Sequence, residues 1–68
     1  MAKMTMRAAR VNAGLSQKDA AKGLNISNKT LSNWESGKSF PKADKIPNIC
    51  DLYNVLYDDI IFLIDDPL

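Results

Sequence analysis

Four residues that accept a left-handed backbone, Gly14, Asn25, Gly37 and Asn54, each close a stretch of helical apolar periodicity. That punctuation commits the chain to a series of short helices. The starts are marked as clearly as the stops. Thr5 can cap a first helix running to about Ala13, in which Met6, Ala9 and Arg10 share one face. Ser16-Gln17-Lys18-Asp19 resembles a capping box at the start of a second helix, with Ala20, Ala21 and Leu24 inward. Leu24 still belongs to the apolar stripe, so Asn25 rather than Gly23 takes the left-handed position. Gly23 then stands in the last turn, at a cost of up to ~1 kcal/mol against Ala.

Ser27 caps a third helix running to about Ser36, with Ile26 set to staple against Leu31 and with Leu31 and Trp34 inward. Phe40-Pro41 is an extended connection. Ile46, Ile49, Cys50 and Tyr53 recur at helical spacing and define a fourth helix. It should begin near Ala43 or Asp44, so that Pro47 falls in the first turn, where its missing N–H is harmless. A fifth short helix fits Tyr57 to Leu63, with Asp58 and Asp59 at the positive end of its dipole. The expected fold is all-α: five helices in one domain over residues 1–68, ordered from about 5 to 63, with 64–68 a frayed tail.

A chain of 68 residues buries only about 60% of its unfolded surface and has little stability to spare. One cysteine and no histidine exclude an intrachain disulfide and a zinc site, and no cofactor is indicated. Helix packing and self-association are the remaining means of stabilisation. No apolar run reaches the ~18 residues of a membrane span, and Met1-Ala2-Lys3-Met4 lacks the apolar stretch of a secretory signal. A cytoplasmic protein is expected. The absence of histidine, nucleophile elbow, P-loop and metal-ligand cluster argues against an enzyme.

The net charge of +1 conceals a division. From Met1 to Lys42, eight bases stand against Asp19 and Glu35, giving +6; from Ala43 to Leu68, six aspartates stand against Lys45, giving −5. A polyanion is attracted to the first part and repelled by the second. By itself such a run is compatible with an ordinary solvated face.

The stretch from Gln17 to Gly37 sharpens this reading. Two short helices joined by a tight turn become a DNA reader when the second is anchored on one face and polar on the other. Ala21 is small where the helices should cross, and Leu31 and Trp34 supply the anchor. Ser27, Asn28, Lys29, Ser32 and Asn33 are left outward: short hydrogen-bonding side chains and one cation, without an acid. Asn pairs with adenine N6 and N7, Lys with guanine O6 and N7, and Ser with either. Asn and Ser are also indifferent helix formers, so their concentration on one helix argues for a use beyond folding.

These residues carry a resemblance. Ser16-Gln17-Lys18-Asp19-Ala20-Ala21, Ile26-Ser27, Thr30 through Lys38 (TLSNWESGK) and Pro41 together look like the Cro/C1-type (XRE) helix-turn-helix of phage repressors and bacterial regulators. The resemblance runs from about Met6 to Leu63. It implies a five-helix, lambda-repressor-like domain with the third helix in the major groove. It further implies Ser27, Asn28, Lys29 and Asn33 as base readers and Gln17 and Lys38 as phosphate contacts; beside the resemblance, Ser32 of the outward set is a further candidate base reader and the cation Lys18 a further candidate phosphate contact. Arg10 and Glu35 would form a buried ion pair between the first and third helices. Ala20 and Asn25 depart from the family pattern, which has Leu and Gly at these places.

The function expected is sequence-specific binding of double-stranded DNA by a transcriptional regulator, most simply a repressor, bacterial or prophage-borne. A domain this small makes few contacts, so a homodimer on a palindromic operator is expected. Ile60, Ile61, Phe62, Leu63 and Ile64 exceed what one helix face can bury and form the candidate dimer surface. The alternative is a protein-interaction module of the same fold, such as an antitoxin or anti-regulator.

Overall fold

The computed structural model describes residues 3–62. The elements, in order, are β1 (Met4–Thr5), α1 (Met6–Asn12), α2 (Gln17–Leu24), α3 (Asn28–Ser36), α4 (Ile46–Tyr53), a 3-10 turn (Tyr57–Asp59) and β2 (Ile60–Ile61).

The helix ends follow from local side-chain chemistry. Thr5 Oγ1 accepts from the Ala8 N–H at 3.1 Å, Ser16 Oγ from the Asp19 N–H at 3.0 Å and Ser27 Oγ from the Thr30 N–H at 3.0 Å. Each hydroxyl satisfies a donor that the first turn would otherwise leave free. The stops are equally local. Asn25 (φ 59°), Gly37 (φ 84°) and Asn54 (φ 57°) close α2, α3 and α4 in the left-handed region, and Gly14 (φ 78°) turns the chain after α1. Beyond α3 the chain doubles back, and the Lys38 N–H donates to the Asn33 carbonyl at 2.9 Å.

The core is shared by the four α-helices and β2. Met6 and Ala9 from α1, Ala20, Ala21 and Leu24 from α2, Leu31 and Trp34 from α3, Ile49 and Tyr53 from α4 and Ile60 from β2 are buried together. Ala20, which departs from the family's Leu, is fully enclosed in the same cluster as Trp34. Gly23 has a packing reason. A Cβ there would lie 3.1 and 3.2 Å from the two terminal carbons of Leu52, so the glycine lets α2 approach α4 closely. Lys45 adds a polar tie between the same two helices, its Nζ donating to the Leu24 carbonyl at 3.2 Å.

The structure corrects the sequence reading in two places. The expected fifth helix, Tyr57 to Leu63, is not formed over its described part. The chain makes one 3-10 turn and then extends, and β2 pairs in parallel with β1, Met4 opposite Ile60 and Thr5 opposite Ile61. Among the described residues there are therefore four α-helices and a two-residue ladder rather than five helices. The reason is non-local: Ile60 reaches the core only if its backbone is extended beside Met4, and a two-residue strand carries no periodicity of its own. The fourth helix also begins later, at Ile46 with Lys45 as its cap, because residues 43–45 form tight turns with bonds from Lys45 N–H to Lys42 O and Ile46 N–H to Ala43 O. Pro47 lies in the first turn, as its chemistry requires.

The candidate dimer surface changes with these corrections. Ile60 is buried in the domain's own core, and Ile61 and Phe62 are half-buried, Phe62 stacked on Tyr57. Leu63, Ile64 and the expected tail lie outside the described residues.

Candidate nucleic-acid interface

Leu31 and Trp34 fix α3 to the core, and their burial determines which face of the helix remains outside. That outer face carries Asn28, Lys29 and Ser32, all exposed, with Asn33 half-buried at its edge. The helix is entered through Asn25 in the left-handed region, and the Ile26 N–H donates to the Ala21 carbonyl at 3.0 Å, which holds α2 and α3 in a tight turn. Sequence reasoning placed these residues on one surface, and the fold brings them together.

Ser27 has a more definite local task than base reading. Its hydroxyl accepts from the Thr30 N–H and donates to the Thr30 hydroxyl at 2.9 Å. The Ser27 side chain thereby sets the first turn of α3, on which Asn28 and Lys29 stand.

Beneath this face lies a polar network. Arg10, 9% exposed, donates through Nε to Glu35 Oε2 at 2.7 Å, through Nη2 to Glu35 Oε1 at 3.4 Å and through Nη1 to the Leu15 carbonyl at 2.9 Å. The same two side chains form an ion pair joining α1 to α3, as the resemblance implied. Gln17, half-buried at the start of α2, joins them: its Nε2 donates to Glu35 Oε1 at 3.2 Å. One N–H of the Gln17 amide is thus committed to the carboxylate and the other remains available. Tyr53 approaches the pair from α4. Burial pushes its hydroxyl pKa up to about 12, and the Glu35 charge adds to the shift while Arg10 opposes it. The Tyr53 hydroxyl finds no hydrogen-bond partner among the described residues.

Lys18 and Lys38 are exposed, on the first turn of α2 and just past α3, flanking the outer face of α3 along the chain. Arg7 was not singled out from the sequence, yet it lines the cleft beside α3 together with Gln17 and Ser32. The available signal was its spacing of three from Arg10, which puts both on one side of α1.

Burial also pushes the Cys50 thiol pKa up, with the neighbouring Asp51 charge adding to it, which disfavours the reactive thiolate. Among the described residues no cluster of side chains is suited to a metal ion, and no helix is long and apolar enough to cross a membrane.

A helix-turn-helix family model matches residues 6–60. The chain belongs to the Cro/C1-type (XRE) helix-turn-helix family. The family's two defining helices are α2 and α3, and the match extends through α4 to Ile60. Among characterised relatives, the HTH-type transcriptional regulator ImmR of Bacillus subtilis (strain 168) is 41% identical over 56 residues. The aligned part covers 82% of this chain and 44% of that relative, so the chain spans less than half of the regulator it matches. No solved structure matches.

Proposed function

We propose that this chain binds double-stranded DNA sequence-specifically, with α3 in the major groove, and acts as a cytoplasmic transcriptional regulator rather than an enzyme. The observation that carries the reading is the acid-free face of Asn28, Lys29, Ser32 and Asn33 on a helix held rigid by Leu31 and Trp34. Rigid presentation matters because base recognition depends on hydrogen-bond geometry. Membership of a helix-turn-helix family and likeness to a named transcriptional regulator support it.

In this reading Asn28, Lys29 and Asn33 read base edges, Ser32 serves at the border of that surface, and Ser27 orients the helix through its cap. Gln17, Lys18 and Lys38 hold phosphates and set the register. The +6 charge of the first 42 residues supplies the long-range attraction. Repression follows from occupying a promoter. A homodimer on a palindromic operator would place half-sites about one helical turn, ~34 Å, apart. The dimer surface is best sought at Leu56 (71% exposed) and Tyr57 (60% exposed), with Ile61 and Phe62 beside them.

The same exposed apolar side chains, next to Asp58 and Asp59, favour a second reading as a protein-interaction module. Selection of bound duplexes from a random pool separates the two. A recovered consensus with two-fold symmetry supports the DNA reading and the dimer together. A lack of any salt-sensitive binding to duplex DNA at low ionic strength overturns it.

A further inference from the structure

Phe40 is an aromatic ring that the folding of the domain does not use. It is 48% exposed, and it is not among the half-buried apolar side chains that pack against the core. Its backbone, by contrast, is held. The Lys38 and Ser39 N–H groups both donate to the Asn33 carbonyl, at 2.9 and 3.3 Å, and the Lys42 carbonyl accepts from the Lys45 N–H at 2.9 Å. Pro41, half-buried, restricts the chain between these two clips. The ring therefore stands on a short loop fastened to the last turn of α3 at one end and to the entry of α4 at the other.

Charge decides the kind of partner. Lys38 and Lys42 are exposed on either side of the ring along the chain, and the acid nearest in sequence, Asp44, follows only beyond Lys42. A partner that neutralises both lysines and receives a ring between them is a polyanion with an apolar interior, as a nucleic-acid duplex is. Position agrees. The nine residues of α3 span about 14 Å at ~1.5 Å each, and the major groove is ~12 Å wide. With Asn28 and Lys29 at base edges, the far end of α3 stands at the sugar–phosphate ridge that bounds the groove. Two further residues from Lys38 to Phe40 reach up to ~7 Å, over that ridge toward the minor groove. A phenyl ring offers a phosphate nothing. From the minor groove it can wedge between base pairs and part their stack, most easily at a pyrimidine–purine step.

We infer that Phe40 enters the minor groove beside the α3 site, with Lys38 and Lys42 on the flanking phosphates, and selects there for an easily unstacked pyrimidine–purine step. The inference rests on the DNA-binding reading above. It gives the chain a second source of sequence preference, outside α3 and without hydrogen bonds to bases.

The test compares the whole chain with its Phe40→Ala variant on a duplex recovered by selection. Each pyrimidine–purine step flanking the α3 contacts is replaced in turn by a stiff A-tract step. One replacement should weaken the wild type roughly tenfold and Phe40→Ala hardly at all. Because this preference is a ratio of two affinities of the same chain, a loss of folded protein in the variant cancels from it. At that step, adenine replaced by diaminopurine, which adds an amino group in the minor groove, should weaken the wild type alone. Thymine replaced by uracil, which removes a methyl group from the major groove, should change neither chain. The wild-type step preference in Phe40→Ala, or a Phe40-dependent response to uracil instead of diaminopurine, overturns the wedge and leaves the DNA reading standing. So does a wild-type dimer that Phe40→Ala breaks into monomers in sedimentation, because the ring then faces a second copy. A wild-type chain without salt-sensitive duplex binding overturns both.

Discussion

Arg10 Nε donates to Glu35 Oε2 at 2.7 Å, and this bond fastens α1 to the helix that presents Asn28 and Lys29. Both side chains are nearly enclosed, 10% and 5% exposed, so solvent screens the pair little. Removing one partner strands the other charge in the interior. Glu35→Gln should lower stability by roughly 3–5 kcal/mol, read as a fall in the urea midpoint. Replacing both by apolar residues, Arg10→Met with Glu35→Leu, should cost less than the sum of the two single changes, because no unpaired charge is left. Additive losses would remove the pair as the link between the helices.

The division of labour on the interface predicts two mutational classes. Asn28→Ala or Lys29→Ala should cost roughly 1–3 kcal/mol at a selected site and relax sequence preference. Lys38→Ala should weaken selected and random duplexes alike. Competition binding against scrambled duplex distinguishes them, and identical behaviour of the two classes would undo the assignment of α3 as the reader.

Ser27→Ala should lower stability by about 1 kcal/mol, the usual worth of an N-cap hydroxyl. Because the cap sets the first turn of α3, affinity should fall as well. Ser27→Asp, which restores the acceptor for the Thr30 N–H, should recover the stability, as thermal melts would show.

Tyr53 links pH to stability. Its folded pKa of about 12 lies above its ordinary value of 10, so the neutral hydroxyl is favoured by folding. In the interval from about 10 to 12 the unfolded chain binds fewer protons than the folded one, and stability falls as pH rises through it. Below pH 10 this contribution is fully present. Tyr53→Phe should flatten that part of the alkaline decline. At neutral pH it should cost little or stabilise, since the hydroxyl is buried without a partner among the described residues. A large loss of stability at pH 7 would show that the hydroxyl has an essential partner.

Gly23→Ala sets helix propensity against space. The propensity gain is up to ~1 kcal/mol. The opposing contact is with the far end of Leu52, a half-buried side chain that can turn aside. A net gain of less than 1 kcal/mol is expected in chemical denaturation, and a net loss would mean that Leu52 is held in place.

The sequence by itself determined where α1, α2 and α3 begin, where the four α-helices end and which faces they bury. A cap at Ser16 or Ser27 is made with a backbone group three residues away, and the left-handed turn at Asn25 or Asn54 depends on that residue's own sterics. The outward set on α3 was legible for the same reason, because helical spacing separates it from Leu31 and Trp34. The Arg10–Glu35 pair could be expected only through family resemblance, since no local signal joins residues 25 positions apart. Tertiary structure alone decided the fate of residues 57–62, the attachment of Gln17 to Glu35 and the approach of Gly23 to Leu52. Each depends on a partner distant in the chain. Ile60 extends beside Met4 because the core has room for its side chain there, and that space exists only once the four helices have come together.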